Sequence, residues 1–170
     1  MPRADARTRR IALTSDGTVW YVDYAKGMLG RFDPKTRQFT EWAAPGGEGS
    51  RPYAMVVDDR DRIWFFESAP RNANQLVGFD TKTQRFFYTG RSFQDGAGTV
   101  RHAHFEPTTR EIWFGTDVGT IGRAKLLRSG DQATIVALSS MVGAALAAAD
   151  DLAAQGVSVE VIDPRTLRPL

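Results

Sequence analysis

Thr14-Ser15-Asp16-Gly17-Thr18-Val19-Trp20-Tyr21, Asp58-Asp59-Arg60-Asp61-Arg62-Ile63-Trp64-Phe65 and Pro107-Thr108-Thr109-Arg110-Glu111-Ile112-Trp113-Phe114 write one pattern three times: a polar turn, an apolar residue, a tryptophan and a second aromatic. The tryptophans stand 44 and 49 residues apart, the spacing of a repeat whose unit is a propeller blade. Ile11, Leu13, Val19, Tyr21, Leu29 and Phe32 fall in short apolar or alternating runs, broken at Asp16-Gly17 and Lys26-Gly27, which reads as hairpins with tight turns. Leu29-Gly30-Arg31-Phe32-Asp33-Pro34-Lys35-Thr36-Arg37-Gln38-Phe39 aligns without gaps to Leu76-Val77-Gly78-Phe79-Asp80-Thr81-Lys82-Thr83-Gln84-Arg85-Phe86. Asp, Lys and Thr recur there because the turn needs side chains that bond their own backbone. Each full repeat therefore holds about four strands, the content of one blade.

Working outward, the repeat predicts a mainly β chain with a partial β-propeller of two to three four-stranded blades. The blades fall at about residues 8–48, 49–97 and 98–123, behind a solvated basic tail at 1–7. The third repeat has strands around Arg101 to Phe105 and Glu111 to Gly115, then Gly119-Thr120-Ile121-Gly122-Arg123, and its outermost strand is expected to be missing. A closed propeller takes about four to eight blades, so open sheet edges are expected, to be covered by self-association or by another chain.

The repeat then yields to alanine-rich sequence. Thr134 to Leu138 and Val157 to Ile162 read as strands. Between them Met141 to Gln155 carries Val142, Ala145, Leu146, Ala149, Leu152 and Ala153 at helical spacing, with Gly156 as the stop. Ser139 or Ser140 is expected to cap the helix with its hydroxyl. Strand, helix and strand in that order predict a right-handed crossover with two parallel strands over 124–170, an incomplete α/β unit that needs a partner surface.

Composition narrows the function classes. Of 170 residues 42% are hydrophobic and 25% charged, and the formal charge is only +2, so a nucleic-acid partner is not expected. No stretch has signal-peptide or membrane-span length, which gives the expectation of a cytoplasmic protein without a membrane partner, although a parent propeller is compatible with export. With no cysteine there is neither disulfide nor thiolate chemistry.

Residues 8–124 resemble the closing blades of the streptogramin (virginiamycin B) lyase family, seven-bladed propellers. The likeness is carried by Trp-Phe after an acidic or glycine turn, by Gly30-Arg31-Phe32-Asp33-Pro34, by Ser50-Arg51-Pro52-Tyr53-Ala54-Met55, and by Trp113-Phe114-Gly115-Thr116-Asp117 with Thr120-Ile121-Gly122-Arg123. The resemblance implies metal-assisted elimination that opens a cyclic depsipeptide ester, with a divalent cation polarising the carbonyl and a histidine removing the proton. In the family that histidine commonly stands eleven residues before the blade tryptophan. Here those positions hold Arg9, Tyr53 and His102. The resemblance thus makes His102 the general base, places Tyr53, Arg9 and His104 at the substrate, and offers Glu67, Asp23 and Asp117 as ligands of a magnesium ion. Val100 stands where the family's active blade has an acidic ligand. The alternative for Glu67 and Asp23 is a rim carboxylate paired with Arg51 or Arg31, and for the three tryptophans it is packing between blades.

Residues from about 124 to 170 resemble the transketolase-like C-terminal domain of the 2-oxoacid dehydrogenase beta subunit. That likeness rests on Ala133-Thr134-Ile135-Val136-Ala137, Ser140-Met141-Val142 and Val159-Glu160-Val161-Ile162-Asp163-Pro164-Arg165-Thr166-Leu167-Arg168-Pro169-Leu170. Thiamine diphosphate binds mainly between other domains of that family and is not expected on this segment, where Asp163 and Arg165 are expected to fix a turn. The two resemblances meet near Gly122 to Gly130 without a linker. The expectation is a chimeric or truncated chain, at most a binding or structural module. The alternatives are a carbon-oxygen lyase completed by oligomerisation and a fragment of a thiamine-dependent dehydrogenase subunit.

Overall fold

The computed structural model describes residues 3–69, 74–91, 98–164, 166 and 167. The first blade is an antiparallel meander of β1 (Thr8–Leu13), β2 (Val19–Asp23), β3 (Met28–Asp33) and β4 (Gln38–Ala43). The second repeats it with β5 (Pro52–Val57), β6 (Ile63–Glu67), β7 (Gln75–Asp80) and β8 (Arg85–Arg91). The aligned turns form as expected. Asp33 Oδ1 accepts the amides of Lys35 and Thr36 at 2.8 and 3.3 Å, and Asp80 Oδ1 accepts those of Lys82 and Thr83 at 2.8 Å each.

In the third blade β9 (Val100–Glu106), β10 (Glu111–Thr116) and β11 (Ile121–Arg128) keep the order of the first two. The position of the outer strand is filled, contrary to expectation, by the alanine-rich segment. β13 (Val159–Asp163) runs antiparallel to β11, with Lys125 opposite Asp163 and Leu126 opposite Ile162. β14 (Thr166–Leu167) pairs with the start of β11, and β12 (Ala133–Val136) adds to β13 in parallel. The result is one sheet in the order β12-β13-β11-β10-β9, and the join between the two resemblances falls inside β11. The parallel crossover is as expected, but its sheet is not left alone: a blade edge pairs with it. Asp163 is buried, and Arg165 lies outside the described residues.

Helix α1 (Met141–Ala154) packs on one face of that extension, with Ala145 and Ala149 against Val159 and Val161. Its end is a Schellman arrangement, in which Gly156 at φ +81 lets the amides of Gly156 and Val157 reach the carbonyls of Ala153 and Leu152. Its start departs from expectation. Ser140 stands at the N-cap with φ −62 and ψ −22, a helical conformation, and its side chain makes no capping bond. The first amides are already taken, that of Met141 by the Leu138 carbonyl and that of Val142 by the Ser139 carbonyl.

Blades stack by burying the tryptophan face of one sheet against the other face of the next. Trp20, Val22 and Leu29 meet Met55, Ile63, Phe65 and Phe79, while Trp64, Phe66 and Leu76 meet Ala103, Ile112, Phe114 and Ile162. Period-2 alternation supplies both faces. At the ends of the arc the same faces are open: Ile11 is 62% exposed where the equivalent Met55 is 7%, Leu13 is exposed where the equivalent Val57 is half-buried, and Trp113 is only half-buried.

The strand β13 is buried on both sides because blade two covers the side that α1 does not. Glu160, on that side, accepts from Arg62 Nη1 at 2.5 Å. Arg62 Nε also donates to Asp58 Oδ2 at 2.7 Å, which in turn accepts from Trp64 Nε1 at 2.9 Å. All three charged side chains are buried. Beside them Gly130 passes so close that a Cβ there would lie 2.1 Å from the Glu160 nitrogen, and its carbonyl accepts from Arg60 Nη1 at 3.1 Å. Breaking a buried ion pair leaves a charge without its partner, so Glu160→Ala is expected to cost about 3–5 kcal/mol in urea unfolding followed by tryptophan fluorescence. Val136→Ala, on the exposed edge strand, should stay within about 0.5 kcal/mol. Equal costs for the two would show that the ion pair does not tie the α/β unit to blade two.

Candidate functional site

The strands β1, β5 and β9 lie side by side, and their first residues share one end of the arc with the last residues of β2, β6 and β10. The ladder slips at the same level in all three blades: between Thr8 and Arg10, between Pro52 and Met55, and beside Gly115 and Thr116, which face His102 and Val100. Each slip leaves a bulged residue, at Arg9, at Tyr53 with Ala54, and at Arg101. A bulge re-aims a side chain out of the regular alternation.

These bulges gather a cationic aromatic mouth. The rings of Tyr24 and Tyr53 stand edge to face at 5.9 Å. The guanidinium of Arg9 lies 4.9 Å from the Tyr24 ring and 6.0 Å from that of Tyr53. Arg10 and Arg101 lie 5.2 and 5.6 Å from Tyr53, and Arg51 lies 5.9 Å from Tyr24. Arg10 Nη2 also donates to the Arg101 carbonyl at 2.9 Å, which ties the first blade to the third. Arg9 and Tyr53 are thus brought together. Tyr24, Arg10 and Arg101 were not picked out by the sequence pattern, and Arg51 was expected to pair with a rim carboxylate instead.

His102 does not join them. The tryptophans of the first two blades face Ala12 and Val56, eight residues earlier, whereas Trp113 faces His104, nine residues earlier. The spacing between facing residues is one longer in the third blade, so counting eleven back from Trp113 stops one residue short in register. Arg101 is the structural equivalent of Arg9 and Tyr53. A slip of one residue turns a side chain to the other face of the sheet, and His102 lines a shallow, mostly apolar groove with His104, Trp113 and Ile121 on the open face of the third blade. The same groove takes His104 away from Tyr53.

The three candidate metal ligands are also employed elsewhere. Asp23 is fully buried: its Oδ1 accepts the amides of Arg7, Ala25 and Lys26 at 3.1, 3.0 and 3.2 Å, and its Oδ2 accepts from Arg3 Nη2 at 2.5 Å. Its ionic partner is therefore Arg3, which also reaches Glu41 at 3.2 Å, so the expected solvated tail is anchored on blade one. Arg31 instead lies over the Trp42 ring at 5.9 Å. Glu67, also fully buried, accepts the Gly46 amide at 2.8 Å. Asp117 Oδ1 accepts the Thr99 amide at 2.8 Å and its Oδ2 accepts from Arg101 Nη2 at 2.8 Å. The Thr99 amide first, then Arg101, hold the Asp117 carboxyl below the usual aspartate range. Asp117 and the Tyr53 hydroxyl push the Arg101 guanidinium above its ordinary value. A magnesium ion needs oxygen ligands in octahedral array, with one or two carboxylates turned toward it, and these carboxylates do not fit it, being turned to amides and guanidiniums. Among the described residues no group of three or more histidine, aspartate or glutamate side chains is placed to hold a metal ion.

Comparison with known proteins divides the chain in two. Residues 122–170 match the family model of the transketolase C-terminal domain. The mitochondrial pyruvate dehydrogenase E1 component subunit beta-2 of Oryza sativa subsp. japonica is 47% identical over 64 residues, which is 38% of this chain. Subunit beta-1 of Arabidopsis thaliana is 56% identical over 50 residues, or 29% of the chain. The chain spans only 17% and 14% of the lengths of these two relatives. In structure it is similar to virginiamycin B lyase from Staphylococcus aureus, with a TM-score of 0.59 and 21% identity over 72% of this chain and 39% of that one. A streptogramin B lyase gives a TM-score of 0.62 at 21% identity, over 72% of this chain and 38% of its own. The mainly β architecture and both resemblances stand on these findings, and at such identity the propeller likeness concerns the fold alone.

Because three backbone amides depend on the buried Asp23 carboxylate, Asp23→Ala is expected to destabilise the chain by roughly 3 kcal/mol or more. The exposed His102→Ala is expected to change it by less than about 0.5 kcal/mol. Thermal melts of the two variants followed by circular dichroism check the contrast, and a stable Asp23→Ala protein would return that carboxylate to the list of free ligands.

Proposed function

We propose that the chain is a non-catalytic binding module: a propeller arc whose mouth, around Tyr24 and Tyr53, is the contact surface, and whose last blade is completed by the α/β unit. The observation that carries this reading is the employment of the acidic side chains. Elimination assisted by a metal needs carboxylates free to hold the ion and a base aimed at the substrate carbon. Asp23 and Glu67 are buried in the service of backbone amides, Asp117 is paired with Arg101, and His102 faces away from the tyrosines. The segment similar to dehydrogenase beta subunits contributes a surface instead of chemistry here, since α1 and blade two occupy both faces of β13.

The direct test is to incubate the full chain and magnesium with a cyclic depsipeptide of the streptogramin B type. The product is followed by reversed-phase chromatography, because elimination opens the ring without changing its mass. The ring is expected to remain closed. Opening that requires magnesium and is lost in His102→Ala would overturn the reading and restore the lyase.

A further inference from the structure

We propose that the mouth binds a multivalent oxyanion, a ligand presenting two or more negative charges on phosphate or carboxylate oxygens; this deepens the binding-module reading and rests on it. Four guanidiniums meet at two phenol rings, three of them within 6.0 Å of the Tyr53 ring alone. Among the described residues Arg101 alone of the four has a carboxylate, the 2.8 Å pair with Asp117. Among the described residues Arg9, Arg10 and Arg51 form no ion pair, and the nearby buried Asp23 is taken by Arg3. Arg10 Nε is buried and has no hydrogen-bond acceptor.

Like charges gathered in this way repel until an anion sits between them, whereas the ring faces attract each cation and hold its plane. A guanidinium presents a fork of donors that matches two oxygens of a phosphate or carboxylate, so several forks around one point select a ligand with several charged oxygens. The site is built and not casual. Two of the arginines are aimed by bulges at matching levels of different blades. A third is pinned to the Arg101 carbonyl. The cluster is confined to one mouth in a chain whose formal charge is +2, which suits a compact ligand better than an extended polyanion.

The test is isothermal titration of the full chain at low ionic strength with two probes, inorganic phosphate and citrate. Binding of either supports the proposal, and the tighter one tells a phosphate-bearing from a carboxylate-bearing ligand. Arg9→Gln with Arg51→Gln is expected to weaken binding by roughly tenfold per guanidinium removed. Arg37→Gln, in the exposed β3–β4 turn, should leave it unchanged. Asp117→Asn frees Arg101 and is expected to tighten binding about threefold, a gain that a damaged fold would not give. Equal affinity in the double arginine variant overturns the proposal, as does failure of the unaltered chain to bind either probe. An inert chain that takes up neither probe overturns the anion assignment alone, whereas ring opening in the depsipeptide assay overturns the reading beneath it.

Discussion

A strand edge in a stacked sheet has to find hydrogen-bond partners, and the outer edge of β11 is where this chain meets that demand. Each of its amides and carbonyls left unpaired under a covering layer would cost free energy comparable to a lost hydrogen bond. The sequence after Arg128 does not return as a fourth blade strand. It departs into β12 and α1 and comes back as β13, antiparallel to β11 with Lys125 opposite Asp163 and Leu126 opposite Ile162, and with a register shift before Arg128. Everything C-terminal is placed by that pairing. It sets α1 on one face of the sheet and turns Glu160 and Ile162 toward blade two on the other.

Side-chain alternation makes the arrangement consistent through both layers. Val159 and Val161 go to the helix, Glu160 and Ile162 go to the blade, and on β11 Ala124 and Leu126 go to the blade while Leu127 goes to the helix. The Asp58, Arg62 and Glu160 cluster is the polar part of an otherwise apolar contact. Burial raises the Glu160 carboxyl above the ordinary glutamate range, while the charge of Arg62 opposes the shift. Such a cluster contributes little net stability compared with apolar packing, yet it disfavours any docking that would separate its members.

At one end of the blades the same sheet geometry gathers side chains from all three. Propeller blades bring the starts of their inner strands together, so a bulge repeated at one level points three unrelated side chains at a common place. Arg9, Tyr53 and Arg101 meet there. The carboxylates at the ends of β2 and β6 lie one layer down, where turn amides claim them. The mouth therefore gathers positive charge around two phenol rings.

Much of this was legible in the sequence. The repeated tryptophan with its preceding turn, the Asp33 and Asp80 turns, the alanine-rich helix and its Gly156 stop each depend on local periodicity or backbone conformation, which a few consecutive residues determine. The likeness to two families also lay in contiguous motifs. Tertiary structure decided what depends on register and on distant partners. One extra residue between Trp113 and the residue it faces moved Arg101, not His102, into line with Arg9 and Tyr53. The tail residue Arg3 found the buried Asp23, and β13 found β11 across an apparent break between families. Sequence spacing measures distance along the chain, whereas a strand pairs, a face turns inward and a charge finds its counter-charge according to distance through space.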